Sequence, residues 1–307
     1  MKFISFVTGI LLSVLSTLYA QSSSSYIVVL GIAQDGGYPH LGCEKECCTR
    51  VWKDESKKRF VVSLALVDPV EKKWWLFEAT PDIREQLKLF RNLTKEEFNY
   101  LPDGIFITHA HIGHYSGLMQ LGREVMNTKE IPVYVMPQMK QFLETNGPWS
   151  QLVKLNNILP GELKDGAKMY LSDVMWVQAF TVPHRDEYSE TAGFKIHTKN
   201  KSYLFIPDID KWSKWDKDII SKVKEVDYAF LDATFYEINE LTNRKMEEVP
   251  HPFVPETMKL FETQTTEVKS KIVFFHFNHT NPLLWSKDKQ REVLKKGFGI
   301  AEQGRGY

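Results

Sequence analysis

Residues 104–114 read GIFITHAHIGH, an apolar run that stops and delivers three histidines within six positions. Extended backbone points alternate side chains to the same side, so His109 and His111 face one way. Gly113 allows a tight turn that swings His114 round to a second position. Three imidazoles so close together suit zinc or another borderline divalent ion. The whole chain of 307 residues holds only nine histidines, so this cluster is not a product of composition. A fold that uses it must hold it on a rigid strand end and complete it from elsewhere in the chain.

Other strand-like runs end the same way. FTVPH stops at His184, YLFIPD at Asp208, and KIVFFH at His276, with His279 three residues later. KWWLFE places Glu78 after an apolar run as well. One strand-end histidine is ordinarily a hydrogen-bonded structural residue. Four strand ends offering His or Asp make a site. Asp210, two residues after Asp208, is a further candidate by proximity.

The 39 basic and 39 acidic residues balance, which gives no global attraction to nucleic acid. A hydrophobic content of 43% excludes disorder and repeated membrane crossing. Three cysteines are too few for a disulfide scaffold. Cys43, Cys47 and Cys48 share one Gly-rich loop with His40, and two readings stand side by side. One is a loop disulfide with a thiol left over, and the other is a structural zinc held by four soft ligands.

Residues 1–20 read as a secretory signal, with Lys2 ahead of an apolar stretch and Ala20 at the cut. A retained anchor is the rival reading. Cleavage leaves one domain over residues 21–307, exported to the periplasm or beyond, with no stable membrane insertion. Strands are expected at residues 26–32, 60–67, 73–77, 104–108 and 131–135, and again at 175–180, 193–196, 203–206, 228–231 and 271–275. Thr80-Pro81-Asp82 predicts a helix start with Thr80 as N-cap. Further helices are expected at 116–125, 215–226, 255–264 and 286–296. Hairpins and helices mixed in both halves predict an α/β fold of two sheets between helix layers.

The order H-x-H-x-x-H, His, Asp, His resembles the metallo-β-lactamase superfamily, along essentially the whole mature chain. The resemblance implies an αββα four-layer sandwich with two mixed sheets and metal at one sheet edge. It implies a first metal position at His109, His111 and His184, and a second at His114 and His276. Asp208 would bridge them, and Glu78 would be the structural acid near the metal-bearing loop. In one respect the sequence departs from the family: Gly113 stands where an Asp ligand of the second metal is usual. One metal, a weaker second metal or an atypical ligand all follow from that, with Asp210 or His279 as candidates to compensate. GIAQDGGYPHLGCEKECC, EATPDIREQ and HFNHTNPLL resemble the PqqB group of pyrroloquinoline quinone biosynthesis more closely.

The resemblance implies a metal-dependent hydrolase acting on a phosphodiester, ester or lactone bond of a small molecule. A bound metal lowers the pKa of water from about 15.7 to about 7, supplying hydroxide at neutral pH. Asp208 would orient it, and His251, in Val249-Pro250-His251-Pro252, is either the proton donor or a loop histidine beside prolines. Zinc is the expected ion, as one or two Zn2+, with iron or manganese as alternatives. The rival functions are an iron-dependent oxygenase and a degenerate, non-catalytic binding protein.

Overall fold

A computed structural model describes residues 24–185, 187–241 and 249–307. The expected signal over residues 1–20 lies outside them. The first sheet contains β1 (Tyr26–Gly31), β2 (Ser63–Asp68), β3 (Lys73–Phe77), β4 (Gly104–Phe106), β5 (Ile131–Val135) and β6 (Ile158–Glu162), adjacent in that order. The second contains β7 (Lys168–Tyr170), β8 (Trp176–Thr181), β9 (Ala192–His197), β10 (Ser202–Ile206), β11 (Tyr228–Asp232), β12 (Ile272–Phe275) and β13 (Gly299–Ile300), again in sequential order. In each sheet an antiparallel portion hands over to parallel strands, from β3 to β6 and from β10 to β13. Parallel strands share a direction, so their C-terminal ends line up along one edge.

Strand β3 explains the layering. Trp75 and Phe77 pack in the core that includes the second sheet, while Trp74 and Leu76 pack on the opposite face. Strands buried on both faces read as continuous apolar runs, and β2 is buried at every position. The helix Ile83–Leu93 covers the first sheet with Ile83, Leu87 and Phe90. Ile219, Val223, Met258 and Val293, from three further helices, join the core of the second sheet. Burying each such side chain stabilises the fold by about 1.5–3 kcal/mol. The observed architecture is the expected α/β one, with two mixed sheets flanked by helices.

The local expectations hold less evenly. The helix after Thr80 begins at Ile83, with Asp82 as N-cap. Thr80 instead closes a turn, accepting from the Asp82 amide at 3.1 Å and donating to Gln86 Oε1 at 2.8 Å. The expected helix at 116–125 is a 3-10 segment, Ser116–Leu121, preceded by one helical turn, Ile112–Tyr115. Here Gly117 lies so close to the chain at Ala79 and Thr80 that a Cβ would meet Thr80 O at 2.2 Å. The expected helix at 215–226 starts only at Ile219, where Asp218 accepts from the amides of Ile220 and Ser221. Strands β6 and β7 were not expected, because β6 contains Pro160-Gly161 and β7 is short and partly exposed. Among the described residues, no helix is long and apolar enough to cross a membrane.

Candidate metal centre

The strand ends converge as their sequence pattern implies. His109 and His111 follow β4, and His109 Nε2 stands 2.7 Å from His111 Nδ1. With His184, after β8, they form a group whose ligand-type atoms lie within 4.8 Å of one another. Asp35, His114 and His276 form a second such group. Asp208, after β10, lies between the two. Its Oδ2 is 2.8 Å from His114 Nε2, 3.3 Å from His276 Nε2 and 3.8 Å from His109 Nε2. Its Oδ1 is 3.8 Å from His184 Nε2. His251 forms a further group with His184 and Asp208.

Four of the five rings have an oxygen behind them, at the nitrogen turned away from Asp208. His111 instead faces His109 with one nitrogen and Glu187 with the other. Thr108 Oγ1 is hydrogen-bonded to His109 Nδ1 at 2.8 Å, and Thr234 Oγ1 to His276 Nδ1 at 2.8 Å. Glu78 Oε1 stands 3.4 Å from His114 Nδ1, and Asp210 Oδ1 stands 3.5 Å from His184 Nδ1. Outer partners of this kind fix ring orientation and raise ligand basicity. Two of these residues also have a left-handed backbone, Glu78 at φ 70° and His276 at φ 62°. Each directly follows a strand end, where the reversal re-aims the side chain. Non-glycine residues persist there only when their surroundings compel it, at a cost of about 1–3 kcal/mol.

The electrostatics divide the histidines. Burial pushes His109 well below its ordinary value, and neighbouring His114 adds to that. Burial likewise lowers His276 and His111. Burial opposes a charge on His114 too, but Glu78 and Asp208 outweigh it and hold that ring well above the usual range. Asp208 is buried as well, yet His276 and His114 keep its carboxyl well below ordinary values. Without a metal, a proton on His114 therefore balances the buried carboxylates. A divalent cation can take over that role, since metal binding displaces ligand protons.

Asp35 Oδ1, His114 Nε2, Asp208 Oδ2 and His276 Nε2 are buried and have no hydrogen-bond partner. They lie close together but not in line for hydrogen bonds. Buried polar atoms left this way call for an ion or water, and this nitrogen and oxygen donor set fits a divalent metal.

Six sequence-derived residues thus meet at one edge: His109, His111, His114, His184, Asp208 and His276. Glu78 stands behind His114. His251 is there too, its Nδ1 2.8 Å from Asp232 Oδ2, so it is built into the site and is not an incidental loop residue. Burial opposes its charge, but Asp232 raises it above the ordinary value. Asp210 does not compensate at the second position. It backs His184, and its Oδ2 is tied to Lys214 Nζ at 2.9 Å. Nor does His279, which belongs to the cysteine cluster. Asp232 and Asp35 were absent from the sequence expectations. Asp232 ends the apolar run YAFLD and carries the same strand-end signal, whereas Asp35 sits in a Gly-rich loop with no such signal.

The cysteines form a separate cluster. Cys43, Cys47, Cys48 and His279 bring their ligand atoms within 4.8 Å of one another. All three cysteines are unpaired in the structure, with the Cys43 and Cys47 sulfurs 3.9 Å apart. His279 takes the fourth place that His40 was expected to fill. His40 turns its Nδ1 to Leu41 O at 2.8 Å and packs its ring on His279 at 4.3 Å. Burial, with His40 and Lys45 nearby, lowers His279 to about 4, which keeps the ring neutral as a ligand must be.

Known proteins share this arrangement of sheets. A family model described as beta-lactamase superfamily domain matches residues 73–294. Coenzyme PQQ synthesis protein B of Methylorubrum extorquens strain PA1 is 24% identical over 303 residues, covering 91% of this chain and 98% of the relative. The crystal structure of Zn(2+)-bound PqqB from Methylobacterium extorquens superposes with a TM-score of 0.73 at 20% identity, covering 92% of this chain and 99% of that one. A diphosphatase from the PhnP family superposes with a TM-score of 0.66 at 19% identity, covering 92% and 96%. Two mixed sheets with flanking helices, a ligand-rich edge between them and these matches agree: the chain belongs to the metallo-β-lactamase superfamily, as a PqqB-like member.

Proposed function

We propose that the protein is a metal-dependent hydrolase of a phosphodiester, ester or lactone bond in a small molecule. The observation that carries this reading is Asp208, which lies within 4 Å of ring nitrogens in both histidine groups. A carboxylate so placed suits a bridge between two metal positions, with His109, His111 and His184 on one side and His114 and His276 on the other. Divalent metal bound there would supply Lewis acidity and a lowered pKa for coordinated water. Asp208 would also orient the attacking oxygen. His251, whose Nδ1 is 2.8 Å from Asp232 Oδ2, would give a proton to the leaving oxygen. Asp232 is the positioning residue of that pair.

The Cys43, Cys47, Cys48 and His279 set is of the closed, soft type, and we assign it a structural zinc. Residues 21–307 are proposed to act as one exported domain, without nucleic acid as a partner, on the strength of the signal-like residues 1–20 and the neutral composition.

The test is a panel of phosphodiester, ester and lactone substrates assayed with zinc, manganese or iron, beside H109A. Turnover that depends on metal and disappears in H109A supports the reading. Turnover indifferent to chelation removes it. A second reading rests on His114 and His276 with Asp208, since two histidines and a carboxylate also suit iron in oxygen chemistry. Iron in the purified protein, together with oxygen consumption, would favour it over hydrolysis.

A further inference from the structure

Gly113 removes a side chain where a carboxylate is expected, and the structure fills that space from another part of the chain. A Cβ on Gly113 would lie 2.1 Å from Asp35 Oδ1, 2.9 Å from its Cγ and 2.6 Å from its Cα. The Asp35 carboxylate therefore occupies the volume that a residue 113 side chain would need. The two cannot coexist without a shift of the backbone.

We propose that Asp35 is the carboxylate ligand of the second metal position, completing it with His114 and His276, and that Gly113 exists to admit it. This rests on the metal-binding reading above. Three observations support it. Asp35 Oδ1 is 3.2 Å from His114 Nε2 and is buried without a hydrogen-bond partner. Its other oxygen is already engaged, accepting from Gln34 Nε2 at 3.0 Å, which fixes the carboxylate with Oδ1 toward the site. The segment carrying it is also anchored beside His276. The Gln34 amide donates to Phe277 O at 2.8 Å, and the Phe277 amide donates to Ile32 O at 2.8 Å. A ligand held on such a brace keeps its position when the metal leaves, which is what preorganised binding requires.

The position is therefore not short of a carboxylate. The ligand has moved from the histidine motif to the loop after β1, and glycine has taken the vacated place. Such an exchange carries a specific consequence: a side chain at residue 113 should damage metal binding although it removes no ligand.

The experiment uses the full chain, with zinc content by elemental analysis and Co2+ titration followed by visible absorption. Wild type, D35N and G113A are compared. D35N is isosteric and loses only the charge, and near-UV circular dichroism reports whether its fold is intact. The expected result is one metal ion fewer per chain in D35N, or a second-site affinity lower by more than the about 10–100-fold typical of losing an outer partner. G113A is expected to weaken the same site and leave the first site unchanged. D35N and G113A that both retain the wild-type stoichiometry and affinities would overturn the assignment of Asp35 alone. Wild type that takes up no metal beyond the thiolate-bound ion, whose Co2+ charge-transfer band marks it separately, would overturn the metal reading itself.

Discussion

The histidine–carboxylate edge and the cysteine corner draw on the same two segments and make different things of them. The segment after β1 gives Asp35 to the edge and Cys43 to the corner from its loop. It gives Cys47 and Cys48 to the corner from the short helix Glu46–Trp52 that follows, where a loop is expected for all three cysteines. The segment after β12 gives His276 to the edge and His279 to the corner. At the corner, burial pushes the Cys48 thiol up to about 12 and raises Cys47 as well, so these thiols are poor nucleophiles without a cation to ionise them. Four such donors would close a tetrahedral zinc and leave it no open position. The edge instead brings nitrogen and oxygen donors from several strand ends around one shared carboxylate. Ligand softness and closure separate a centre that fastens the chain from one that can do chemistry.

The sharpest way to break that contrast is to remove what only the edge possesses. Asp208→Ala should lower kcat/KM at least about 10³-fold, because it strips a charge that both histidine groups share. Elemental analysis should then find only the metal of the cysteine corner, and an undiminished activity would refute the bridging role. His251→Ala acts on a proton and not on a ligand, so it should cost about 10²–10³ in kcat with metal content unchanged. The loss should shrink for substrates whose leaving group needs no proton, such as nitrophenolates. If metal content fell instead, His251 would be a ligand.

Cys48→Ser addresses the corner. Losing a structural ion present well above its dissociation constant should cost about 3 kcal/mol, or about 5–10 °C in the thermal midpoint. Because the corner braces the loops of Asp35 and His276, the second-site affinity should also fall, by about tenfold, as losing an outer partner does. The first site, on His109, His111 and His184, should be spared. Equal weakening of both sites would mean that the corner serves global stability only.

The sequence was legible where chemistry coincides with periodicity. An apolar run that ends in His or Asp is visible in one dimension, so His109, His184, Asp208 and His276 were within reach, and the two sheets with them. Asp232 carried the same signal at the end of YAFLD, but its role lies in orienting His251, and only the fold brings those two together. Asp35 was not legible, because its function depends on an empty volume at Gly113, which is a three-dimensional property. The choice between His40 and His279 was hidden for a similar reason. Proximity in sequence favoured His40, while the fold brings a ring nitrogen of His279 within 4.8 Å of the three sulfurs. Helix boundaries near residues 80, 116 and 215 were misplaced where turns and close backbone packing overrode propensity.

The smallest expected effect separates the two centres by pH. Consider the protein with its edge stripped of metal. His114 has a raised value when folded, so its proton contributes stability fully below the unfolded value of about 6.5. That contribution disappears as pH rises through the folded value, and His251 behaves in the same way. His109, His111 and His276 are depressed, so above about 6.5 they are neutral in both states and add nothing. The stripped protein should therefore lose stability as pH rises from about 6.5, by up to about 1.4 kcal/mol for each unit by which a histidine is raised. In the loaded protein a cation replaces the proton and that decline is absent. The gap between the loaded and stripped thermal midpoints should widen with pH in wild type and in Cys48→Ser alike, because the proton belongs to the edge. A gap that narrowed with pH would show that His114 is not the counter-charge that the metal displaces.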